Sequence, residues 1–148
     1  MDNKMDELKI QQVIHRFANS FDVKDWRGLE ECFAERIYTD YSDLRGTLPE
    51  TIEAKHYIHM RQEALRKLKT HHLCGNHEIE IKGDKAVCKT SMVIYRSSQS
   101  KQENFTTHCL YTFSLQKINS VWKITSIIQK VFWNDGDASI HSGAKQKS

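Results

Sequence analysis

The sequence predicts one α+β domain in which helices come first and a sheet follows. Apolar residues recur at helical spacing in the first half of the 148-residue chain, and four long segments with strand-like composition follow them. The pairs Gly83-Asp84 and Asn119-Ser120 stand between those segments and favour hairpin turns. Helices followed by consecutive strands are typical of an α+β domain and not of an alternating βαβ fold.

Three helices are predicted before residue 70, each from its own local pattern. Apolar side chains repeat every three or four positions from Ile10 to Phe21, which indicates an amphipathic helix. Asp25 is placed to cap a second, short helix, and Thr47-Leu48-Pro49-Glu50 has the pattern of a capping box with an early proline. The predicted helices are therefore residues 5–21, the short helix after Asp25, and a third helix from the capping box to about Leu68.

The remaining segments are predicted to be strands. They are a short strand at Ile37–Tyr41 and longer strands at 71–82, 85–96, 104–117 and 121–132. A sheet of long strands curls, so we expect it to wrap around the helices and leave a cavity between them. The domain is predicted to span residues 1–135, and residues 136–148 are predicted to be a polar, mobile tail.

Composition excludes several classes of protein. The net charge is +3 and the basic residues are scattered, so nucleic-acid binding is not expected. No apolar run approaches the ~20 residues of a membrane span, and the N-terminus lacks the pattern of a signal peptide. The four cysteines are far apart in sequence, which favours reduced thiols and a cytoplasmic location.

Four short segments, in order, resemble a known family. The first segment follows an apolar helix and is Phe21-Asp22-Val23-Lys24-Asp25-Trp26, and the second is Tyr38-Thr39-Asp40-Tyr41. The third follows the third helix and is Thr70-His71-His72, and the fourth lies in the last strand and is Val121-Trp122-Lys123-Ile124. This order resembles scytalone dehydratase and its SnoaL-like relatives, in the nuclear-transport-factor-2-like superfamily, over roughly residues 5–135. The resemblance implies a cone-shaped α+β barrel with a strongly curved mixed or antiparallel sheet and an apolar internal pocket.

The resemblance also implies roles for individual residues. His72 matches the histidine that acts as acid and base, Asp22 matches the aspartate that orients it, and Tyr41 matches a tyrosine that polarises a substrate carbonyl through water. Phe21 replaces a pocket tyrosine of the dehydratase and Arg96 replaces a second histidine. Further substrate contacts are expected from Cys109, where the dehydratase has serine, from Tyr111, where it has asparagine, and from Trp133. Scytalone itself is therefore not the expected substrate.

Each of these residues also has a structural interpretation. Asp22 suits a helix end, Tyr41 suits a core, and Arg96 suits the solvated end of a strand, although an inward Arg96 would bind a carboxylate or an oxyanion. Cys109 and Tyr111 suit packing. Trp133 is expected either to cover the pocket mouth with Phe132 or to lie in a subunit interface.

The alternation of side chains along a strand tests whether His72 can point into the pocket. A regular strand would place His72 on one face with Glu78 and Glu80, away from the core. An inward His72 therefore requires a β-bulge, and Gly75-Asn76 is the place where we expect it.

Metal and organic cofactors are not expected. His56 and His59 lie on a helix and three further histidines cluster on a strand, but no acidic or cysteine partner falls at a metal-binding spacing. No glycine-rich phosphate loop is present.

Two classes of function follow. The first is a cofactor-independent lyase, of the dehydratase type, that uses an Asp–His dyad on a small hydrophobic cyclic or carbonyl-containing molecule. The second is a non-catalytic ligand-binding or structural module of the same fold, and an isomerase or cyclase with the same dyad lies between them. A homodimer or homotrimer is expected, because the strands carry apolar groups on both faces.

Overall fold

The computed structural model describes residues 3–141, and its helices precede most of its strands as predicted. The α-helices are α1 (Lys4–Val23), α2 (Trp26–Glu31), α3 (Ser42–Arg45) and α4 (Ala54–Ala64). The strands are β1 (Phe33–Asp40), β2 (Glu50–Glu53), β3 (Leu68–Lys82), β4 (Lys85–Ser98), β5 (Glu103–Ile118) and β6 (Val121–Gly136), followed by a 3-10 helix (Ala138–Ile140). No helix within the described range has the length and apolarity that crossing a lipid bilayer requires.

Helix α1 presents Asp22 to the sheet. Its buried residues, from Ile10 to Phe21, form the predicted apolar face. The helix ends at Val23, and the next residue, Lys24, adopts a left-handed conformation (φ 58°) and donates its backbone N–H to carbonyls of the last turn. Asp22 therefore lies in the final turn of α1, which packs against β3.

The six strands form one curved, unclosed sheet in the order β2-β1-β6-β5-β4-β3. Neighbouring strands are antiparallel, except that β1 and β6 are parallel. The predicted turns are present, and Gly83, Asn119 and Ser120 have the positive φ angles (60°, 50° and 67°) that tight hairpins use. The core fills the space between the sheet and the helices.

A β-bulge interrupts β3 where it was predicted. The pairing with β4 advances by three residues from Gly75 to Glu78 on β3 but by only two on β4, and Asn76 has a φ of 52°. The inner face therefore changes from even-numbered to odd-numbered residues along β3. His72 points inward before the bulge, and Ile79 packs against the core after it.

The capping-box prediction was wrong. Glu50–Glu53 forms the edge strand β2, in which Ile52 pairs with Ile37 of β1, and α4 begins only at Ala54. The β-branched pair Thr51-Ile52 is better suited to a strand than to the first turn of a helix. Helix α3, which lies between β1 and β2, was not predicted.

The predicted tail begins too early. Residues 136–141 are folded, since the 3-10 helix is capped by Asp137 and both Ile140 and His141 are buried. Ile140 and His141 are an apolar and an amphipathic residue in an otherwise polar stretch, and they pack back onto the body of the domain. The remainder of the predicted tail, residues 142–148, lies outside the described residues.

Candidate active site

Asp22 and His72 form a close pair inside the cone. His72 Nδ1 lies 2.6 Å from Asp22 Oδ1, and the backbone N–H of His72 donates to Asp22 Oδ2 at 2.7 Å. Thr70 Oγ1 also donates to Asp22 Oδ1, at 3.0 Å. Because the carboxylate accepts, the imidazole carries its proton on Nδ1, which leaves Nε2 free as a base.

The surroundings of His72 keep its imidazole neutral. Its side chain is 7% exposed, and the ring of Phe21 stacks on it with centroids 5.2 Å apart. Burial lowers the pKa of His72 below the usual 6.5, and Arg96 lowers it further, whereas Asp22 opposes the shift. Burial outweighs the carboxylate, so the resting His72 is a neutral base and not the charged imidazolium that pairing with Asp22 alone favours.

The cavity beside His72 is small and is lined by both polar and apolar groups. Its volume is about 30 Å³, which is room for a few atoms. Its lining residues are Phe21, Tyr41, Leu44, Arg45, Tyr57, Arg61, Leu65, Thr70, His72, Ile94, Arg96, Tyr111, Gln129 and His141. The predicted apolar pocket is therefore corrected to a mixed one, because arginine, histidine and tyrosine side chains share the lining with Phe21, Leu44, Leu65 and Ile94. Larger depressions of about 390 and 590 Å³ open on the surface, and neither is lined by Asp22 or His72.

Four of the predicted contact residues do line this cavity: Phe21, Tyr41, Arg96 and Tyr111. The hydroxyl groups of Tyr41 and Tyr57 are 2.7 Å apart, and burial raises the pKa of both, so they are neutral donors. Arg96 points inward, is 4% exposed, and donates to Thr107 at 2.8 Å. Arg96 is therefore not at a solvated strand end, and its alternative, an inward position, is the one found.

Two predicted contact residues lie elsewhere. Cys109 is buried behind the lining, its Sγ donates to the Met92 carbonyl, and burial raises its pKa to about 11, which makes it an inert thiol. Trp133 is 55% exposed and stacks on His108 with centroids 4.2 Å apart, so its predicted place over the cavity mouth is wrong for the single chain. The Trp133 side chain points to the outer face of the sheet, beside His108.

Several lining residues were not predicted, and five of them carry polar side chains that bear on the chemistry: Arg45, Tyr57, Arg61, Gln129 and His141. A signal for Arg61 existed, because it follows Ala54, Tyr57 and Ile58 at the spacing of one helix face. Tyr57 shares this signal. Arg45, Gln129 and His141 had no comparable signal, since their inward direction depends on how distant elements and the chain end fold together.

One group of possible metal ligands occurs among residues 3–141. His15 on α1 and Cys74 and His77 on β3 place ligand atoms within 4.8 Å of one another. The fold thus supplies a cysteine partner that sequence spacing did not reveal. None of the three residues lines the cavity beside His72.

Comparison with known proteins agrees with the cone-shaped fold. The model of a family described as a SnoaL-like domain matches residues 4–128. The chain belongs to the SnoaL-like family. This SnoaL-like domain is 26% identical over 143 residues to the scytalone dehydratase PfmaJ of Pestalotiopsis fici, an alignment that covers 89% of this chain and 75% of that protein.

Solved structures share the fold of this SnoaL-like domain at low identity. The Kfla4162 protein of Kribbella flavida has a TM-score of 0.89 and 16% identity, with 94% of this chain and 98% of that chain covered. Hexachlorocyclohexane dehydrochlorinase LinA-type3 of Novosphingobium barchaimii has a TM-score of 0.76 and 13% identity, with 93% of each chain covered. Identities this low establish the common architecture and leave the reaction to be argued from the site.

Proposed function

We propose that this SnoaL-like domain is a cofactor-independent lyase that eliminates water, or a comparable leaving group, from a small carbonyl-containing molecule. The observation that carries the proposal is the close contact between Asp22 and His72, whose ring lines a small cavity. Relatives named scytalone dehydratase and hexachlorocyclohexane dehydrochlorinase support elimination as the reaction type.

The reaction is a proton transfer followed by loss of the leaving group. Neutral His72 Nε2 removes a proton from the carbon next to the carbonyl, and the electron pair becomes an enolate. The imidazolium then returns this proton to the departing hydroxyl as the carbon–oxygen bond breaks, so that water leaves and an alkene remains. Asp22 stabilises the imidazolium, and neutral Tyr41 or cationic Arg96 stabilises the enolate oxygen.

The test compares His72→Ala with His71→Ala, whose side chain is exposed on the neighbouring position. A panel of small 3-hydroxy ketones is followed by the absorbance of the conjugated product and by deuterium exchange at the carbon next to the carbonyl. We expect His72→Ala to lower the rate about 10²–10⁴-fold and His71→Ala to leave it unchanged. Turnover by His72→Ala at the rate of the unmodified protein would refute the dyad.

The cavity of about 30 Å³ supports a second candidate, a binding or structural module without catalysis. A protein that binds small molecules but catalyses neither exchange nor elimination across the panel would favour this alternative. Exchange without loss of water would instead favour an isomerase or cyclase using the same pair.

A further inference from the structure

Three arginines converge on the cavity from three different elements. Arg45 comes from α3, Arg61 from α4 and Arg96 from β4, and all three line the same small space as His72. Arg61 and Arg96 are 8% and 4% exposed. Arginine is among the side chains least often buried without a partner, so the convergence calls for a counter-charge.

Residues 3–141 do not supply that counter-charge. No carboxylate of this range lies within 4.0 Å of any of the three guanidinium groups. Asp22 is already engaged with Thr70 and His72. The Nε atoms of Arg45 and Arg61 are buried and have no hydrogen-bond partner in the described part of the chain. Arg45 lies over the ring of Tyr41 at 4.1 Å and Arg96 over the ring of Phe105 at 5.1 Å, but these contacts supply no negative charge. A buried cation without an anion is costly, because it loses hydration without gaining an ion pair.

Arg61 and Arg96 remain charged near neutral pH. Burial lowers the pKa of Arg96 to about 10 and lowers that of Arg61, and the neighbouring arginines add to both shifts. The other titratable groups in the lining do not offset this charge, since His72 and His141 are neutral there and burial raises the pKa of Tyr41, Tyr57 and Tyr111. The cavity is therefore positively charged.

We infer that the substrate carries a carboxylate and that Arg61, with Arg45 and Arg96, binds it beside His72. The inference rests on the proposed function for the view that the occupant is a substrate. A carboxylate matches the planar set of donors that a guanidinium presents. A cavity of about 30 Å³ accommodates a group of this size, whereas a whole ring would not fit without movement of the lining. The predicted hydrophobic ligand is thereby replaced by an anionic one.

The experiment measures equilibrium binding of acetate, with acetamide as its neutral match and chloride as a spherical anion. The whole chain is labelled with ¹⁵N, and the Nε–Hε resonances of arginine report occupancy. The chemical shifts of these resonances are expected to change and reach a plateau as acetate is added. Acetamide and chloride should leave them unchanged. Arg61→Gln should weaken acetate binding about 10- to 100-fold, as expected for loss of a charge-assisted hydrogen bond. Arg36→Gln, at an exposed arginine of β1, is the matched control and should leave binding unchanged.

The possible outcomes separate this inference from the proposed function. Acetate binding that persists in His72→Ala supports the carboxylate site whether or not the protein eliminates anything. Elimination from neutral substrates without saturable acetate binding supports the lyase and overturns the inference. Equal binding of acetamide or chloride, or equal weakening by Arg36→Gln, also overturns it. If Arg61→Gln does not fold, the comparison of acetate, acetamide and chloride in the unmodified protein still decides whether the cavity binds a carboxylate.

Discussion

Asp22 holds both the imidazole and the backbone of residue 72. One oxygen accepts from Thr70 and His72 Nδ1, and the other accepts from the backbone N–H of His72. This arrangement ties the last turn of α1 to β3. Replacing Asp22 therefore changes the charge next to His72 and also weakens the link between two elements.

Asp22→Asn should be milder than His72→Ala, because the amide keeps the shape and one acceptor oxygen. The negative charge that raises the pKa of His72 is lost, so this pKa, already lowered by burial, falls further. A general base must be neutral, so the acid limb of the pH–rate profile should move to lower pH. The profile of kcat/KM against pH measures this shift.

Asp84→Asn is the matched control for this charge change, since Asp84 is exposed in the β3–β4 turn. Its pH–rate profile should coincide with that of the unmodified protein. An acid limb that stays in place in Asp22→Asn would mean that His72 is not the titrating base.

At the scale of elements, the bulge in β3 lets one strand serve two purposes. The segment before it brings His72 to the cavity, and the segment after it brings Ile79 and Ile81 to the core. Regular alternation would force one of these sets outward. The left-handed conformation of Asn76 is the local feature that allows the change of face.

Asn76→Val should destabilise the fold by about 1–2 kcal/mol, because a β-branched residue is strained in the left-handed conformation. Asn76→Gly should stay within about 0.5 kcal/mol, since glycine adopts this conformation freely. Urea unfolding of both variants measures the difference. Equal stability of the two would show that the bulge does not depend on the conformation of residue 76.

At the scale of the whole molecule, the outer face of the sheet carries a continuous apolar and aromatic row. Leu73, Val93, His108 and Trp133 pair in register across β3, β4, β5 and β6. Leu73 and Trp133 are 51% and 55% exposed in the single chain. A row of this kind favours contact with another protein surface.

We predict that this row joins two or three copies of the chain. The double variant Leu73→Ser, Trp133→Ser should then lower the mass in solution to that of a monomer, whereas Val23→Ser, at an exposed apolar residue at the end of α1, should not. Light scattering at micromolar concentration measures the mass. A monomeric unmodified protein would contradict the prediction.

Acid should destabilise the fold partly through His141. Burial, with repulsion from nearby arginines, lowers the pKa of His141 from 6.5 to about 2. The unfolded chain therefore binds a proton that the folded chain excludes, and stability falls as pH drops below about 6.5. The contribution is about 1.4 kcal/mol per pH unit in this window.

His141→Gln removes this titration, so its free energy of unfolding should fall less steeply than that of the unmodified protein between about pH 6 and pH 4. Urea unfolding at several pH values measures the two slopes. His56→Gln, at an exposed histidine of α4, is the control and should keep the original slope. Identical slopes for His141→Gln and the unmodified protein would mean that His141 titrates normally.

Local patterns were sufficient to predict much of the fold. The helical spacing in α1, the Asp25 cap, the hairpin pairs and the four long strands are each encoded within a few neighbouring residues. Strand β2 was not predictable in this way, because it forms by pairing with β1 and its own sequence resembles a helix start.

Local sequence patterns also predicted only part of the candidate site. Asp22 and His72 are fifty residues apart, and their pairing came from a resemblance to a family and not from spacing. The charge of the cavity could not be predicted, since helix spacing gives a signal for Arg61 alone, whereas Arg45 and Arg96 each resemble solvated residues within their own segments. Only the folded chain brings them together, because burial of a side chain depends on elements that are distant in sequence, whereas helix and turn preferences depend on adjacent residues.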